Sequence, residues 1–392
     1  MEKRSKEWEE GFEELVKKIS GVFRNKLGRE NARKYLRGLL SNAERKNGWQ
    51  ISEMVGEKTP YAMQQFVYRG NWSADNLRDE LRGYVTESMG SEDGVLVVDE
   101  TGFLKQGKKT CGVKRQYSGT AGRVENCQIG VFLTYASNKG YAVIDRRLYL
   151  PEEWISNAER RKDTGIPEEA TFQTKPQMAL TMIRQAHEAD VPFGWVTGDS
   201  VYGDYRRIRE YCESIGKGYV LCVSGKESLW IGFGQHRVSK LLANLESDHW
   251  ESISCGDGSK GERIYDWQTI ALNCPSDVGF MRCLLVRKNQ TTGELRGYVC
   301  FAASTTTLME LVQIAGIRWT VESSFAETKS QVGLDQYEVR SYHGWYKHIT
   351  LACLAHALLT RLSCCPCVPT FQQQVKSSGS LEAFKRGRGL LG

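Results

Sequence analysis

Three carboxylates stand in three different sequence contexts. Asp99 closes the apolar run Val95-Leu96-Val97-Val98 and leads into Glu100-Thr101-Gly102. Asp199 closes Trp195-Val196-Thr197-Gly198 and leads into Ser200-Val201-Tyr202-Gly203. Glu322 lies in Arg318-Trp319-Thr320-Val321-Glu322, within a helix-like segment. Two acids at strand ends and a third on a helix can converge to hold two divalent cations. Such a pair activates an attacking oxygen and stabilises a leaving oxygen in phosphodiester displacement. Hard oxygen donors suit Mg²⁺, with Mn²⁺ as a substitute. Taken singly, each aspartate has an equally good reading as a turn cap at a strand end. Glu322 alone reads better as one partner in an exposed run of helical ion pairs.

The elements that must position these acids follow from periodicity. Residues 7–47 show helical spacing, with Trp8, Phe12, Leu15, Ile19 and Phe23 on one face and Tyr35, Leu36, Leu39 and Leu40 on another. Short helices are expected over 48–85, with Thr59 as an N-cap and Pro60 at the first helical position. That pattern fits a helix-turn-helix and an ordinary helical hairpin equally well. From residue 93 the pattern turns to strands: 95–99 closed by its acid, 127–135, and 141–148, the last two joined by the turn Ser137-Asn138-Lys139-Gly140. A helix at 175–189, a strand at 193–199, a helix at 204–215 and a strand at 218–223 follow. This order predicts a mixed sheet with helices on its faces. Residues 225–305 are glycine-rich and read as a β-rich insertion with strands over 263–272, 281–287 and 297–302. Helices return at 307–316, 318–331 and 344–362.

Composition sets outer limits. The chain has 392 residues, 40% hydrophobic and 26% charged, which is room for two or three domains with a real core. The net charge of +6 is modest, but residues 21–50 hold eight bases (Arg24, Lys26, Arg29, Arg33, Lys34, Arg37, Arg45, Lys46) against Glu30 and Glu44. A polyanionic partner and a solvated helix face explain that patch equally well. No stretch approaches the roughly 20 apolar residues that span a bilayer. Twelve cysteines behind a charged N-terminus point to reduced thiols in a cytoplasm, and no membrane partner is expected. Cys364-Cys365-Pro366-Cys367 lacks a second ligand pair at zinc spacing.

The motifs resemble those of DDE transposases of bacterial insertion sequences, in the branch with a β-strand insertion in its catalytic domain. That branch carries a Tyr-x2-Arg-x3-Glu-x6-Lys signature. This chain has Arg318, Glu322 and Lys329 at that spacing, with Ala315 in place of the Tyr. Also similar are Val98-Asp99-Glu100-Thr101-Gly102, Arg115-Gln116-Tyr117-Ser118-Gly119-Thr120 and Asp145-Arg146-Arg147-Leu148-Tyr149-Leu150-Pro151. So are Gly198-Asp199-Ser200-Val201-Tyr202-Gly203, Gly333-Leu334-Asp335-Gln336-Tyr337-Glu338-Val339-Arg340 and Gly344-Trp345-Tyr346-Lys347-His348. The likeness runs from about residue 50 to 360, and the tail after Leu362 matches poorly.

The resemblance implies an α/β fold with a ribonuclease-H-like mixed sheet and helices on both faces. It divides the chain into an all-helical DNA-binding domain (1–90), a catalytic core in two parts (91–224 and 306–362), the β-rich insertion (225–305) and the tail (363–392). The 123 positions between the second and third acids are then accounted for by the insertion. It further implies that Asp99, Asp199 and Glu322 are catalytic and hold two Mg²⁺ ions. Arg318 and Lys329 are expected on DNA phosphate near the cut, and Arg24, Lys26, Arg33, Lys34 and Arg37 on DNA elsewhere. The implied partners are double-stranded DNA, as terminal inverted repeats and as target, and a second copy of the chain, since two ends must be joined. The implied setting is the bacterial nucleoid. Two other functions remain open at this point. One is a catalytically silent DNA-binding descendant, which loss of any acid would have favoured. The other is a ribonuclease-H-like nuclease without strand transfer, for which the basic helices and the insertion are superfluous. A metallohydrolase of small substrates lacks the histidine motif it would need.

Overall fold

The computed structural model describes residues 2–245, 249–258, 261–274 and 279–363; residues 2–5, 257–258, 320, 322 and 323 are described by backbone only. Five helices come first: α1 (Glu2–Ile19), α2 (Lys26–Leu40), α3 (Gly48–Met54), α4 (Tyr61–Tyr68) and α5 (Ala74–Met89). Asn25, Asn47 and Ser73 cap α2, α3 and α5 through side-chain oxygens that accept backbone N–H bonds. The fourth helix differs from expectation. It begins at Tyr61 with Pro60 in the cap position and no side-chain cap, so Thr59 lies outside it.

Four strands follow: β1 (Val95–Leu104), β2 (Lys114–Ser118), β3 (Arg123–Ser137) and β4 (Gly140–Leu148). Next come α6 (Glu152–Ile155), α7 (Ala158–Thr164), α8 (Lys175–Glu188), β5 (Trp195–Gly198), α9 (Ser200–Gly203), α10 (Arg206–Ser214) and β6 (Gly218–Val223). The helix α8 starts on a full capping box, Thr174 with Gln177, and carries Pro176 in its first turn. Its bounds match the expected helix closely.

The inserted segment holds the hairpin β7 (Ser228–Ile231) and β8 (Gly234–Arg237), α11 (Val238–Ala243), β9 (Glu251–Gly258), β10 (Gly261–Ala271), β11 (Phe280–Lys288) and β12 (Leu295–Ala303). Its long strands do not form a module apart. The main sheet runs β2-β3-β1-β5-β6-β12-β11-β10-β9, with β4 also paired to β3. The insertion therefore extends the main sheet, through an antiparallel pairing of β12 with β6. The part β4-β3-β1-β5-β6 is a ribonuclease-H-like mixed sheet, with β1, β5 and β6 parallel and β3 antiparallel to β1.

Two helices close the chain, α12 (Leu308–Val332) and α13 (Tyr342–Ser363). The first is one continuous helix where the sequence suggested two. It opens on the capping box Thr307/Glu310 and stops at Gly333, which adopts φ 66° in the left-handed region. It packs over β1, β5 and β6, while α13 packs on β4 and receives α1, α2, α4 and α5. Helices α8 to α10 cover the strands from their own side, through β3, β4 and β6. One apolar cluster runs from Phe12 in α1 through the sheet to Leu358 in α13, so the helical N-terminal region shares its core with the main sheet.

Candidate active site

The register of two parallel strands brings the aspartates together. Val98 of β1 pairs with Gly198 of β5, so Asp99 and Asp199 are the next residues on adjacent strands at one level. Carboxyl ends of neighbouring parallel strands form the crevice where ligands bind in such sheets. One detail corrects the sequence reading: β1 does not end at its acid but continues to Leu104 along β3. What ends before Asp99 is the pairing with β5, whose last pair is Val98 with Gly198.

Local hydrogen bonds fix both carboxylates. Asp99 Oδ1 accepts from the Glu100 N–H at 2.8 Å, and Asp199 Oδ1 accepts from the Val201 N–H at 2.9 Å as it caps α9. The glycine after α9's tyrosine is obligatory. A Cβ on Gly203 would lie 1.8 Å from the Cys222 carbonyl oxygen of β6, so this turn can reach the sheet only without a side chain.

The helix α12 lies over this crevice. Phe325 packs edge-on against Phe132 at 5.3 Å, and Phe132 is the cross-strand partner of Asp99. Phe103 and Trp345 complete that aromatic floor. The Arg318 guanidinium stabilises the charged forms of both Asp99 and Asp199. Lys329 Nζ donates to Thr101 Oγ1 at 2.8 Å, Thr120 Oγ1 at 3.0 Å and the Gly102 carbonyl at 3.2 Å. Glu322 is one helical turn after Arg318 and one before Phe325 on α12. Its side chain lies outside the described set.

The electrostatics are those of an acid cluster short of positive charge. Burial pushes Asp99 up to about 7, with the negative charges of Asp199 and Glu100 adding to it and Arg318 opposing. Asp199 is raised for the same reasons, burial first and Glu100 second. These carboxylates fit a divalent cation: they are hard oxygen donors, they repel one another, and no cation among the described side chains ion-pairs with them directly. Among the described residues no group of three His, Cys, Asp or Glu side chains is assembled as a metal cage.

Sequence reasoning missed a second layer. Glu100 accepts from Tyr202 Oη and from Lys175 Nζ, the latter at 2.6 Å, and so joins β1, α9 and the start of α8 beside the aspartates. The signal was present, since Glu100 follows Asp99 directly and Tyr202 sits inside the second acid's motif. A cluster of Tyr265, Trp319, Arg263 and Arg287 on β10, β11 and α12 also escaped notice. There Tyr265 and Trp319 stack at 6.0 Å and Arg287 lies 4.5 Å over the Tyr265 ring. Ala315, where the related signature has Tyr, is fully buried, and the adjoining Gly316 would place a Cβ 2.4 Å from the Cys255 carbonyl of β9.

Other motifs turn out to hold the architecture. Asp145 and Arg146 are buried; Asp145 pairs with Arg82 of α5, and Arg146 donates to Thr350 of α13 at 2.7 Å and to Asp75 at 3.0 Å. Of the N-terminal bases, Arg33 and Arg37 pair with Glu9 and Glu13 of α1, Lys34 pairs with Glu57, and Lys26 stands 3.8 Å from Glu30. Arg24 is exposed. The cysteine group 364–367 lies outside the described residues.

A ribonuclease-H-like sheet thus presents Asp99 and Asp199 side by side where the pairing of two parallel strands stops. Comparison with known families agrees: residues 20–241 match the DDE superfamily endonuclease family, and residues 173–358 match the transposase DDE domain. The chain belongs to the DDE superfamily, as a transposase of insertion-sequence type. It is 23% identical over 345 residues to the protein described as "Probable transposase for insertion sequence element IS701" of Microchaete diplosiphon, spanning 84% of this chain and 83% of that one. Members of this superfamily generally use divalent metals.

Proposed function

We propose that the chain cleaves phosphodiester bonds at the ends of its element and transfers the freed 3′-hydroxyl into target DNA. The observation that carries this reading is the Val98–Gly198 pairing, which delivers Asp99 and Asp199 side by side on adjacent parallel strands. Asp99, Asp199 and Glu322 would hold the divalent cations. Bound there, two such ions supply Lewis-acid stabilisation of the attacking and leaving oxygens.

The chain's own residues do the rest. Glu100, fixed by Lys175 and Tyr202, keeps the two aspartate-bearing segments at constant separation. Arg318 has a fork that matches phosphate, and Lys329 offers a point charge about two turns after Glu322 on the same helix. Lys329 hydrogen-bonds to neutral oxygens, with the Asp335 carboxylate near enough to favour its charged form, and that charge is the one offered to a DNA backbone passing over the acids. Terminal inverted repeats and target DNA are the substrates of this reading. A homodimer on DNA follows from the need to hold two ends.

The test is incubation of the full chain with labelled DNA flanking its coding sequence and Mg²⁺ or Mn²⁺, followed by mapping of the cut. Cleavage at the element boundary with a free 3′-hydroxyl, abolished in Asp99→Asn with binding retained, is the expected result. Equal loss of cleavage and binding in Asp99→Asn would make Asp99 structural.

A further inference from the structure

The motif Arg115-Gln116-Tyr117-Ser118-Gly119-Thr120 has no part in the acid site, yet it lies against it. It forms β2 and the turn into β3, an exposed hairpin. Residues 105–125 hold six bases (Lys105, Lys108, Lys109, Lys114, Arg115, Arg123) and one acid, Glu125. Lys114 and Arg123 are engaged with Glu153 and Glu125, and Lys105 turns inward over the Tyr337 ring at 3.6 Å. Lys108, Lys109 and Arg115 are exposed and form no ion pair among the described residues. This contrasts with the N-terminal bases, among which Arg33, Lys34 and Arg37 are met by Glu9, Glu13 and Glu57.

The same hairpin exposes apolar surface in register. Tyr117 pairs with Val124 across the two strands, and they are 64% and 52% exposed. Arg115 and Tyr117, two apart on β2, share a face. A two-stranded ribbon with an outward aromatic and unpaired cations has the chemistry and width for a nucleic-acid groove.

Its placement is fixed by the catalytic strand. The Ser118 hydroxyl occupies the space of a missing Cβ on Gly102, 2.4 Å from where that atom would be. Thr120 donates to the Gly102 carbonyl at 3.3 Å, and Lys329 ties Thr120 to Thr101 and Gly102. Thr101 and Gly102 are two and three residues beyond Asp99.

We infer that the β2–β3 hairpin and the 105–109 loop form a duplex-DNA backbone surface beside the acid pair. Lys108, Lys109 and Arg115 neutralise phosphates there, and Tyr117 with Val124 lies against the sugar wall of the groove. The inference rests on the transposase reading given above.

The test uses the full chain in divalent-free buffer, with fluorescence anisotropy on two labelled duplexes across a salt series. One duplex carries the DNA flanking the coding sequence; the other is unrelated. The variant K108A/K109A/R115A should show a salt slope shallower by about three on both duplexes, near 0.9 for each phosphate no longer neutralised. Its melting temperature should be that of wild type, and K108R/K109R/R115K should keep the wild-type slope. An unchanged slope in the alanine variant overturns the inference. So does an equal fall in the charge-preserving variant, or a loss confined to the flanking duplex. A change in self-association with DNA affinity intact overturns it as well, by making the hairpin a protein interface. Wild type that cuts, with an alanine variant of unchanged slope, sinks the hairpin assignment alone. Wild type that binds but never cuts with Mg²⁺ sinks the transposase reading alone.

Discussion

Asp99 carries a carboxyl that burial, Asp199 and Glu100 push up to about 7. Its folded-state value is above the ordinary unfolded value of about 4. The native state therefore binds the extra proton, and this group costs stability as pH rises from about 4 through about 7. Above that window the metal-free protein carries a buried, unbalanced charge worth on the order of a few kcal/mol. Two consequences are measurable by thermal melting at pH 8. Asp99→Asn should melt higher than wild type without divalent ions, because the charge is gone. Mg²⁺ should raise the wild-type melting temperature by several degrees and the variant's much less. Equal Mg²⁺ shifts in both proteins would remove Asp99 from the cation site. Asp99 and Asp199 were legible in the sequence because an apolar run stopped by an acid is a local pattern. Glu100 was not: its role depends on Tyr202 and Lys175, about 100 and 75 positions away, and only the folded sheet brings these together.

At the scale of elements, strands and helices with strong local patterns were readable to within a few residues. The turn at Ser137–Gly140, the helix α8 and the strand β6 are examples. What the sequence could not show was pairing. The strands of the inserted segment look like a separate β unit in the chain, yet β12 pairs with β6 and continues the sheet. Likewise β1 reads as five residues because its apolar run stops at Asp99, while its backbone continues in register with β3. Close approach between elements was only partly readable from glycines. Gly203 marks the contact of α9 with β6, where a Cβ would meet the Cys222 carbonyl. Gly203→Ala must push α9, and with it Asp199, away from the strand. We expect a loss on the order of 2 kcal/mol or more from this overpacking. Gly107→Ala is the control, since nothing lies within 4 Å of its added Cβ, and it should stay within about 0.5 kcal/mol of wild type. Urea unfolding of both variants decides this; equal midpoints would mean that the α9 turn relaxes freely.

Across the whole molecule, α13 joins what the sequence seemed to divide. Its buried His348 accepts from Tyr35 of α2 through Nδ1, at 2.9 Å, and donates through Nε2 to the Gly333 carbonyl at the end of α12, at 3.0 Å. A carbonyl can only accept, which fixes that tautomer, and burial holds the imidazole neutral by pushing it down to about 4. The helical region is thus locked to α12. A fragment ending at residue 90 would strip Phe12, Leu15, Tyr35 and Leu36 of part of their shared core, so DNA binding by this region is best tested in the full chain. The structure also sorts the bases there. Arg33 and Arg37 brace α2 against α1 through Glu9 and Glu13, and Arg37 lies 4.9 Å over the Phe12 ring. Arg24 and Lys26 flank the N-cap of α2 and are exposed, and among the described residues Glu30 is the acid paired with Lys26. If this face binds DNA, R24A/K26A should make the salt slope shallower by about two and leave the melting temperature unchanged. R33A/R37A should instead cost about 1 kcal/mol of stability, since exposed pairs are worth little and the ring contact adds a similar amount. Its salt slope should change less than that of R24A/K26A. A reversed pattern, with the larger slope change in R33A/R37A, would mean that these pairs open on DNA and that α2 binds through its paired face.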